Sequence, residues 1–513
     1  PDGRDLSVSI NHEVVAQIEA KLLKAGDLRH AIDFDPLALS GSDVITLRLL
    51  GKDLADAPEE CQQVKAGTWR ALESATLAIK TDLLPLPNDV SLFPLPFVDP
   101  RVDHEPEIPI VLPGGHATAR AALLLAAGFN RVTGHKPDYR VYRDTLPEED
   151  AVALLSSSAQ AARLGVPYRG GSSAYYVAHP GSPRHKVLVL AGDGAERLEH
   201  AVIGLFIAPE RSGESMDFVP GEIEAAVTRA RNRSPSSWQS VDGPLELGQI
   251  HGGDLIHTGG QTKTLELGFR APPDLFLWPA PELPLEIHYG QTVSAGQQPA
   301  RIDVAYNGRY ITTLPPAAGS EERVRLWIHR DDIRGYNSIA FHVRYPKTAV
   351  CVAESGDGGS VTVFGDSTIH LEDLPRFAKL PDIERFINDG YPLTRHGDLG
   401  ESAVVLSNTW SADEISALMS VFTHLASVTE DLPTGITVYT ANDLPKTLDK
   451  DLFLVGGLDN HPLVARWRDR IPVSLGHRGF ELAKSRWFDD LRERLFRSDR
   501  QRALDLLQHD HEN

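Results

Sequence analysis

No stretch of 18 or more apolar residues occurs in the 513-residue sequence, so nothing in it reads as a bilayer-spanning α-helix. Cysteine is scarce. The two present, Cys61 and Cys351, are too few for a disulfide scaffold or a cysteine-ligated zinc site. Basic residues number 51 against 71 acidic ones, a formal charge of −20. Proteins that neutralise nucleic-acid phosphates carry a basic surface, so a nucleic-acid partner is disfavoured. Catalytic signatures are missing as well: there is no Gly-x-Ser-x-Gly elbow and no His-Glu-x-x-His helix. The close pairs His179/His185, His251/His257 and His509/His511 have no carboxylate at a convincing ligand spacing. Asp33-Phe34-Asp35 has the look of metal-holding aspartates in nucleotide-sugar transferases, yet it lies in a β segment with no nucleotide fold around it. A carboxylate pair of a glycoside hydrolase is set by the fold, and 71 acidic residues single out none. No catalytic residue, cofactor or metal is expected.

What is present is ordinary globular composition, 41% hydrophobic and 24% charged, at a length that calls for three or four domains. The chain opens Pro1-Asp2-Gly3 without a signal-peptide pattern and reads as a fragment or processed product. Its organisation is a duplication. Val8-Ser9-Ile10-Asn11, Val44-Ile45-Thr46-Leu47-Arg48-Leu49, Cys61 and Ser74-Ala75-Thr76-Leu77 follow one another in the first copy. Asp303 to Asn307-Gly308, Ser338-Ile339-Ala340-Phe341-His342-Val343, Cys351 and Ser367-Thr368-Ile369 repeat that order in the second. Asparagine to cysteine spans 50 and 44 positions, and cysteine to serine 13 and 16. The segments alternate apolar and polar residues between Asn-Gly and Gly-Asp turn signals, as half-buried strands do. The second copy has extra strand-like segments upstream, Thr264 to Phe269 and Leu283 to Tyr289, so the first is expected to lack its opening strands. Cys61 and Cys351, at equivalent places in separate domains, are expected as buried free thiols.

After each β copy the period changes to about 3.6. Strands at Ile108–Leu112, Tyr139–Tyr142, Ala151–Leu155 and Lys186–Leu190 alternate with helices at Ala117–Val132 and Ala195–Ile207. Strand Ala403–Leu406, helix Ala412–Thr429 and strands Ile436–Thr440 and Leu452–Val455 repeat the pattern, which predicts small parallel sheets flanked by helices. Two strand-to-helix turns, Leu112-Pro113-Gly114-Gly115-His116-Ala117-Thr118 and Leu406 to Ser411, lack the lysine or spaced glycines of a phosphate cradle. They read as structural, with Ser411 capping its helix.

Sugar rings stack their C–H faces on exposed aromatic rings. Trp69, Trp278 and Trp327 are the candidate glycan contacts, with Tyr306, Tyr310 and Tyr345 beside them. Trp327 shares a strand face with Arg325 if the alternation holds, which points outward, and Trp278 sits at a strand exit. Packing in a core or at an edge is the competing role for each. Trp238 and Trp410 are expected at domain joints.

The ordered set Leu265 to Leu275, Val304 to Tyr310, Asn337 to Phe341, Cys351, Asp366-Ser367-Thr368-Ile369, Asp373 to Phe377 and Gly390 to Arg395 resembles BcsB, a family of non-catalytic bacterial cellulose synthase subunits. That resemblance implies a mixed β and α/β multidomain chain: two jelly-roll, carbohydrate-binding-like β-sandwiches alternating with two flavodoxin-like α/β domains. The expected division is 1–105 (first jelly roll, incomplete), 106–235 (first flavodoxin-like), 236–398 (second jelly roll), 399–482 (second flavodoxin-like) and 483–513 (amphipathic C-terminal helix). It implies a non-enzymatic periplasmic protein attached to the bacterial inner membrane. Its partners would be the catalytic membrane subunit and the nascent β-glucan, with self-association open. Members have been labelled cyclic di-GMP-binding, although that nucleotide is understood to bind the catalytic subunit. The family's C-terminal anchor does not follow residue 482. Trp487, Phe488, Leu491 and Leu495 among arginines and aspartates read either as a helix on the inner-membrane surface or as one packed on the last domain. A glycan-active β-sandwich hydrolase and a nucleotide-binding regulator are the alternative functions.

Overall fold

The computed structural model describes residues 5–11, 13–18, 32, 44–50, 86–99 and, with short breaks, 106–482. The breaks are 259–261, 279, 294–297, 318, 346–358, 381, 410, 458–459, 468–472 and 477–478. Cys61, Cys351, Asp33-Phe34-Asp35, Trp69, Trp410, Trp487, Phe488, Leu491 and Leu495 lie outside the described residues.

Near the amino end, Asp5–Ile10 (β1), Glu13–Ile18 (β2) and Ile45–Leu50 (β3) form an antiparallel sheet in the order β2-β1-β3. The duplication is visible here in atomic detail. Asn11 takes a left-handed φ of 49°, donates its N–H to Val44 O at 3.0 Å, and accepts Val44 N–H on Oδ1 at 2.9 Å. Asn307 does the same with Ser338: φ 48°, 2.9 Å and 2.7 Å. Asparagine tolerates this region because its short side chain bonds locally. Three residues earlier each strand carries a β-bulge, at Val8/Ser9 and at Val304/Ala305.

The first α/β unit is a six-stranded sheet of Glu107–Val111 (β4), Asp138–Tyr142 (β5), Ala151–Leu155 (β6), Ser172–His179 (β7), Ser182–Gly192 (β8) and Ser215–Asp217 (β9). The order is β5-β4-β6-β8-β7-β9. In that order the first four run parallel and β9 runs with them; β7 is the reversed strand, because Pro180-Gly181 turns it back on β8 as an antiparallel hairpin. The sheet is therefore mixed where a wholly parallel one is expected from the alternation of strands and helices. Helices Ala119–Thr133 (α1), Ser158–Leu164 (α2), Ala195–Ile207 (α3) and Pro220–Ala230 (α4) accompany it.

A two-sheet β unit follows. Leu245–Glu246 (β10), the short helix Leu247–His251 (α5) and Leu255–Thr258 (β11) lead into Lys263–Arg270 (β12) and Glu282–Thr292 (β13). Arg301–Tyr306 (β14), Arg309–Thr313 (β15), Glu321–His329 (β16), Tyr336–Arg344 (β17), Ser360–Val363 (β18) and Thr368–Ile369 (β19) complete it. One sheet has the order β10-β19-β13-β18-β11, with β16 also on β13; the other is β12-β17-β14-β15. Leu285, Ile287 and Tyr289 of the first sheet and Ile302, Val304, Tyr306 and Phe341 of the second fill one core. The order β15-β14-β17 repeats β2-β1-β3.

After Ile383–Asp389 (α6), the chain forms a second α/β unit. It has parallel strands Ser402–Leu406 (β20), Thr437–Thr440 (β21) and Asp451–Val455 (β22), with Ala412–Thr429 (α7) and Pro462–Arg466 (α8). A hairpin of Val473–Gly476 (β23) and Gly479–Leu482 (β24) ends the described chain.

The two α/β units are not separate bodies. Phe129 and Leu123 of α1 belong to one hydrophobic cluster with Val404, Ile415, Met419 and Phe422 of the second unit. The edge of β5 is closed by α7, since Val141 donates its N–H to Ser416 Oγ at 3.1 Å. Arg120 reaches across with Nε to Ile436 O (2.8 Å) and Nη2 to Thr434 O (2.5 Å), while Nη1 pairs with Glu199. This explains why α1 is apolar nearly all round, where a helix with one exposed face is expected: it is covered on both sides.

Candidate functional site

The outer face of the β13 sheet carries an ordered array of polar and aromatic side chains. Strand alternation puts Leu283, Leu285 and Ile287 into the core and Pro284, Glu286 and His288 outside. Opposite them on β16 stand Trp327, Arg325 and Arg323, in that register. β19 and its flanks add a third column: Thr368 faces Glu286, and His370 donates its N–H to Pro284 O at 3.1 Å.

Three rows result. Trp327, 52% exposed, faces Pro284, an apolar strip one residue pair wide. Arg325 Nε bonds Glu286 Oε1 at 2.9 Å, and His370 Nε2 lies 3.9 Å from the same oxygen. Asp366 accepts from Arg323 and bonds His288 Nδ1 at 2.7 Å, and His288 packs its ring on Phe364 at 4.2 Å. Burial alone would raise the Asp366 carboxyl; hydrogen bonds from His288 and Arg323 outweigh it and hold it below the ordinary carboxylate value. An exposed ring beside fixed ionic hydrogen-bonding groups is chemistry suited to a polyhydroxylated ligand.

Trp278 lies beyond the same end of the β13–β16 pair. Arg330, three residues after Trp327, stacks over its ring at 4.6 Å and donates to its carbonyl oxygen at 3.0 Å. Tyr310 is exposed but belongs to edge strand β15 of the other sheet, with its hydroxyl 2.9 Å from Thr313 Oγ1. Tyr306 is 1% exposed. It shares strand parity with Ile302 and Val304, so its ring enters the core and cannot meet a glycan at the surface. Tyr345 is half-buried against the same core. Among the described residues its hydroxyl and that of Tyr306 have no hydrogen-bond partner. Tyr306→Phe is accordingly expected to stabilise the β unit by about 1 kcal/mol in urea unfolding. A loss of stability would mean that the hydroxyl is bonded in solution.

The structure thus brings Trp278 and Trp327 to one end of one sheet and separates Tyr306 and Tyr310 from them. Sequence reading passes over Pro284, Glu286, His288, Asp366 and His370. The first three are signalled by the same two-residue period in Glu282 to His288 that exposes Trp327.

The two α/β turns are filled by protein. A Cβ on Gly114 would stand 2.4 Å from Thr118 Cγ2, so that side chain occupies the turn. At α7, Ser411 Oγ accepts Glu414 N–H (3.1 Å) and Glu414 Oε2 accepts Ser411 N–H (2.8 Å), the reciprocal cap expected of Ser411. Trp238 is buried and bridges to Arg270 at the joint before the β unit.

A two-sheet β unit with an aromatic and ionic outer face, set between α/β units that share a core, defines a multidomain protein with a carbohydrate-binding-like module. Comparison with known families agrees and is more specific. Residues 89–218 match the first FD domain of cellulose synthase BcsB, 244–368 its second CBM domain and 376–511 its second FD domain. The chain belongs to the BcsB family of cellulose synthase subunits.

It is similar to a cyclic di-GMP-binding protein of Xanthomonas axonopodis pv. citri (strain 306), 26% identical over 98% of this chain and 67% of that one. A protein of the same description from Pseudomonas fluorescens (strain SBW25) is 23% identical over 92% of this chain and 66% of its own. Putative cellulose synthase 3 of Komagataeibacter xylinus is 24% identical over 89% of this chain, which spans 31% of that longer protein. The chain therefore spans about two thirds of the first two relatives. Among solved structures, a family 35 carbohydrate binding module from an environmental isolate is 17% identical, covers 24% of this chain and 74% of its own, and has a TM-score of 0.15.

Proposed function

We propose that this chain is the non-catalytic periplasmic component of a bacterial cellulose synthase, supporting the membrane catalytic subunit and leading the nascent β-glucan along its surface. The observation that carries the reading is the outward row of Trp327 and Pro284 beside Arg325–Glu286: a ring for a sugar face and fixed charges for its hydroxyls. The division into jelly-roll domains at 1–105 and 236–398, flavodoxin-like domains at 106–235 and 399–482, and an inner-membrane-surface helix at 483–513 belongs to the same proposal. Trp69 would serve in the first β domain as Trp278 and Trp327 do in the second.

Two measurements test it. Calorimetry with cellohexaose should show Trp327→Ala binding about tenfold more weakly than wild type, with an unchanged melting temperature because the ring is exposed. Equal affinities would remove Trp327 from the glucan path. Co-purification of the chain with its membrane synthase, with polymer synthesis as readout, checks assembly. A chain that neither associates nor affects synthesis would sink the reading as a synthase component.

A further inference from the structure

We infer that α3 and α4 form a site for a divalent transition-metal ion, of the Zn²⁺ or Mn²⁺ class, held by Glu196, His200 and Glu224. A ring nitrogen of His200 and one carboxylate oxygen from each glutamate all lie within 4.8 Å of one another. One imidazole with two carboxylates is a donor set that such ions accept, and a movement of about an ångström per ligand brings these atoms to coordination distance.

The placement follows from the helix. Glu196 and His200 are four residues apart on α3, so they lie one above the other on a single face. Gly204 continues that face by another turn. A Cβ there would stand 2.5 Å from the Phe218 ring, so the missing side chain lets the segment before α4 seat directly on α3. α4 then carries Glu224 over His200.

A second observation, independent of the acidic pair, points to a ligand. The His200 residue is 8% exposed, and its Nδ1 is fully enclosed without a hydrogen-bond partner among the described residues. A buried imidazole with an unmatched ring nitrogen carries a desolvation cost that a bound ion offsets. Both glutamates are exposed, leaving the site open to ions from solvent.

The ion's role would be a clip. Ile223 is the one buried residue of α4, with Val227 partly buried beside it, so the helix is held to the body by few apolar side chains. Immediately after it the chain enters the segment leading to the β unit. An ion shared by α3 and α4 would pin that segment.

The test uses the full chain, stripped with chelator, and Zn²⁺ as the probe. Titration calorimetry should show wild type taking up one equivalent more than the Glu196→Gln/Glu224→Gln double variant, whose exposed substitutions leave folding intact. His200→Gln should lose the same equivalent if it folds; the double variant decides the matter if it does not. Zn²⁺ should also slow tryptic cleavage at Arg229, Arg231 and Arg233 several-fold in wild type and leave the double variant unchanged. Equal Zn²⁺ uptake by wild type and double variant, or equal effects on cleavage, would overturn the site.

Discussion

Phe129→Ala is expected to lower the stability of the joined α/β units by about 4 kcal/mol, read as a shift in the denaturant midpoint, with both units unfolding together. Phe129 is fully buried in α1. Its ring centroid lies 5.2 Å from Phe93, 6.0 Å from Phe97 and 6.1 Å from Phe206, tilted or edge-on to each. Truncation therefore removes a large apolar side chain and three aromatic contacts, and leaves a cavity that rigid neighbours cannot refill. The helix belongs to the core of both units, so the loss should not be confined to one. Val132, three residues on, is exposed, and Val132→Ala should change stability by less than about 0.5 kcal/mol. Two separate transitions in the Phe129→Ala unfolding curve would show that the units fold independently.

Arg120→Ala should cost about 3 kcal/mol at pH 7, most of it from charge left behind. Arg120 pairs with Glu199 and supplies hydrogen bonds to Thr434 O and Ile436 O, so one substitution unpairs a carboxylate and two carbonyls. Burial already raises the Glu199 carboxyl above its ordinary value, and Arg120 opposes that rise. Without the guanidinium the folded-state value climbs further. A raised folded pKa contributes stability that is present below the unfolded value of 4.5 and lost as pH rises through the folded one. The deficit relative to wild type should therefore shrink as the pH is lowered toward 4.5. Adding Glu199→Gln should recover part of it at pH 7. A deficit that ignores both pH and Glu199→Gln would place the whole effect in the lost carbonyl bonds.

Much of this was legible in the residues, and where it was not the reasons are physical. The helices Ala195–Ile207 and Ala412–Thr429 can be read to the residue, because Gly194 and Ser411 punctuate their starts and their apolar period is unbroken. The duplication is equally plain, since Asn11 and Asn307 are required by the same left-handed turn and the same side-chain bonds. Trp327 is readable as exposed from the parity it shares with Arg325. Tyr306 has the opposite lesson: it shares parity with Ile302 and Val304, and that argues for the core. β7 escapes notice because an antiparallel strand added to β8 is not called for by alternating strands and helices. The joint core is the least legible feature. An all-apolar helix announces burial on every side but does not say which distant segment supplies the cover.

The shared core also fixes how the β unit is mounted. The chain leaves the joined α/β body near residue 231 and re-enters near 400, and the two crossings are tied to one another and to the units they join. Gly397 donates to Arg233 O at 2.9 Å, Ser237 donates to Thr429 O at 3.2 Å, and Arg270 meets Asp389 at 3.4 Å. The module therefore stands on two legs planted side by side, not on a single flexible stalk. The orientation of the β unit on the α/β body is therefore set at two neighbouring points, and whatever its outer face meets is presented at a fixed angle to the seam between the α/β units.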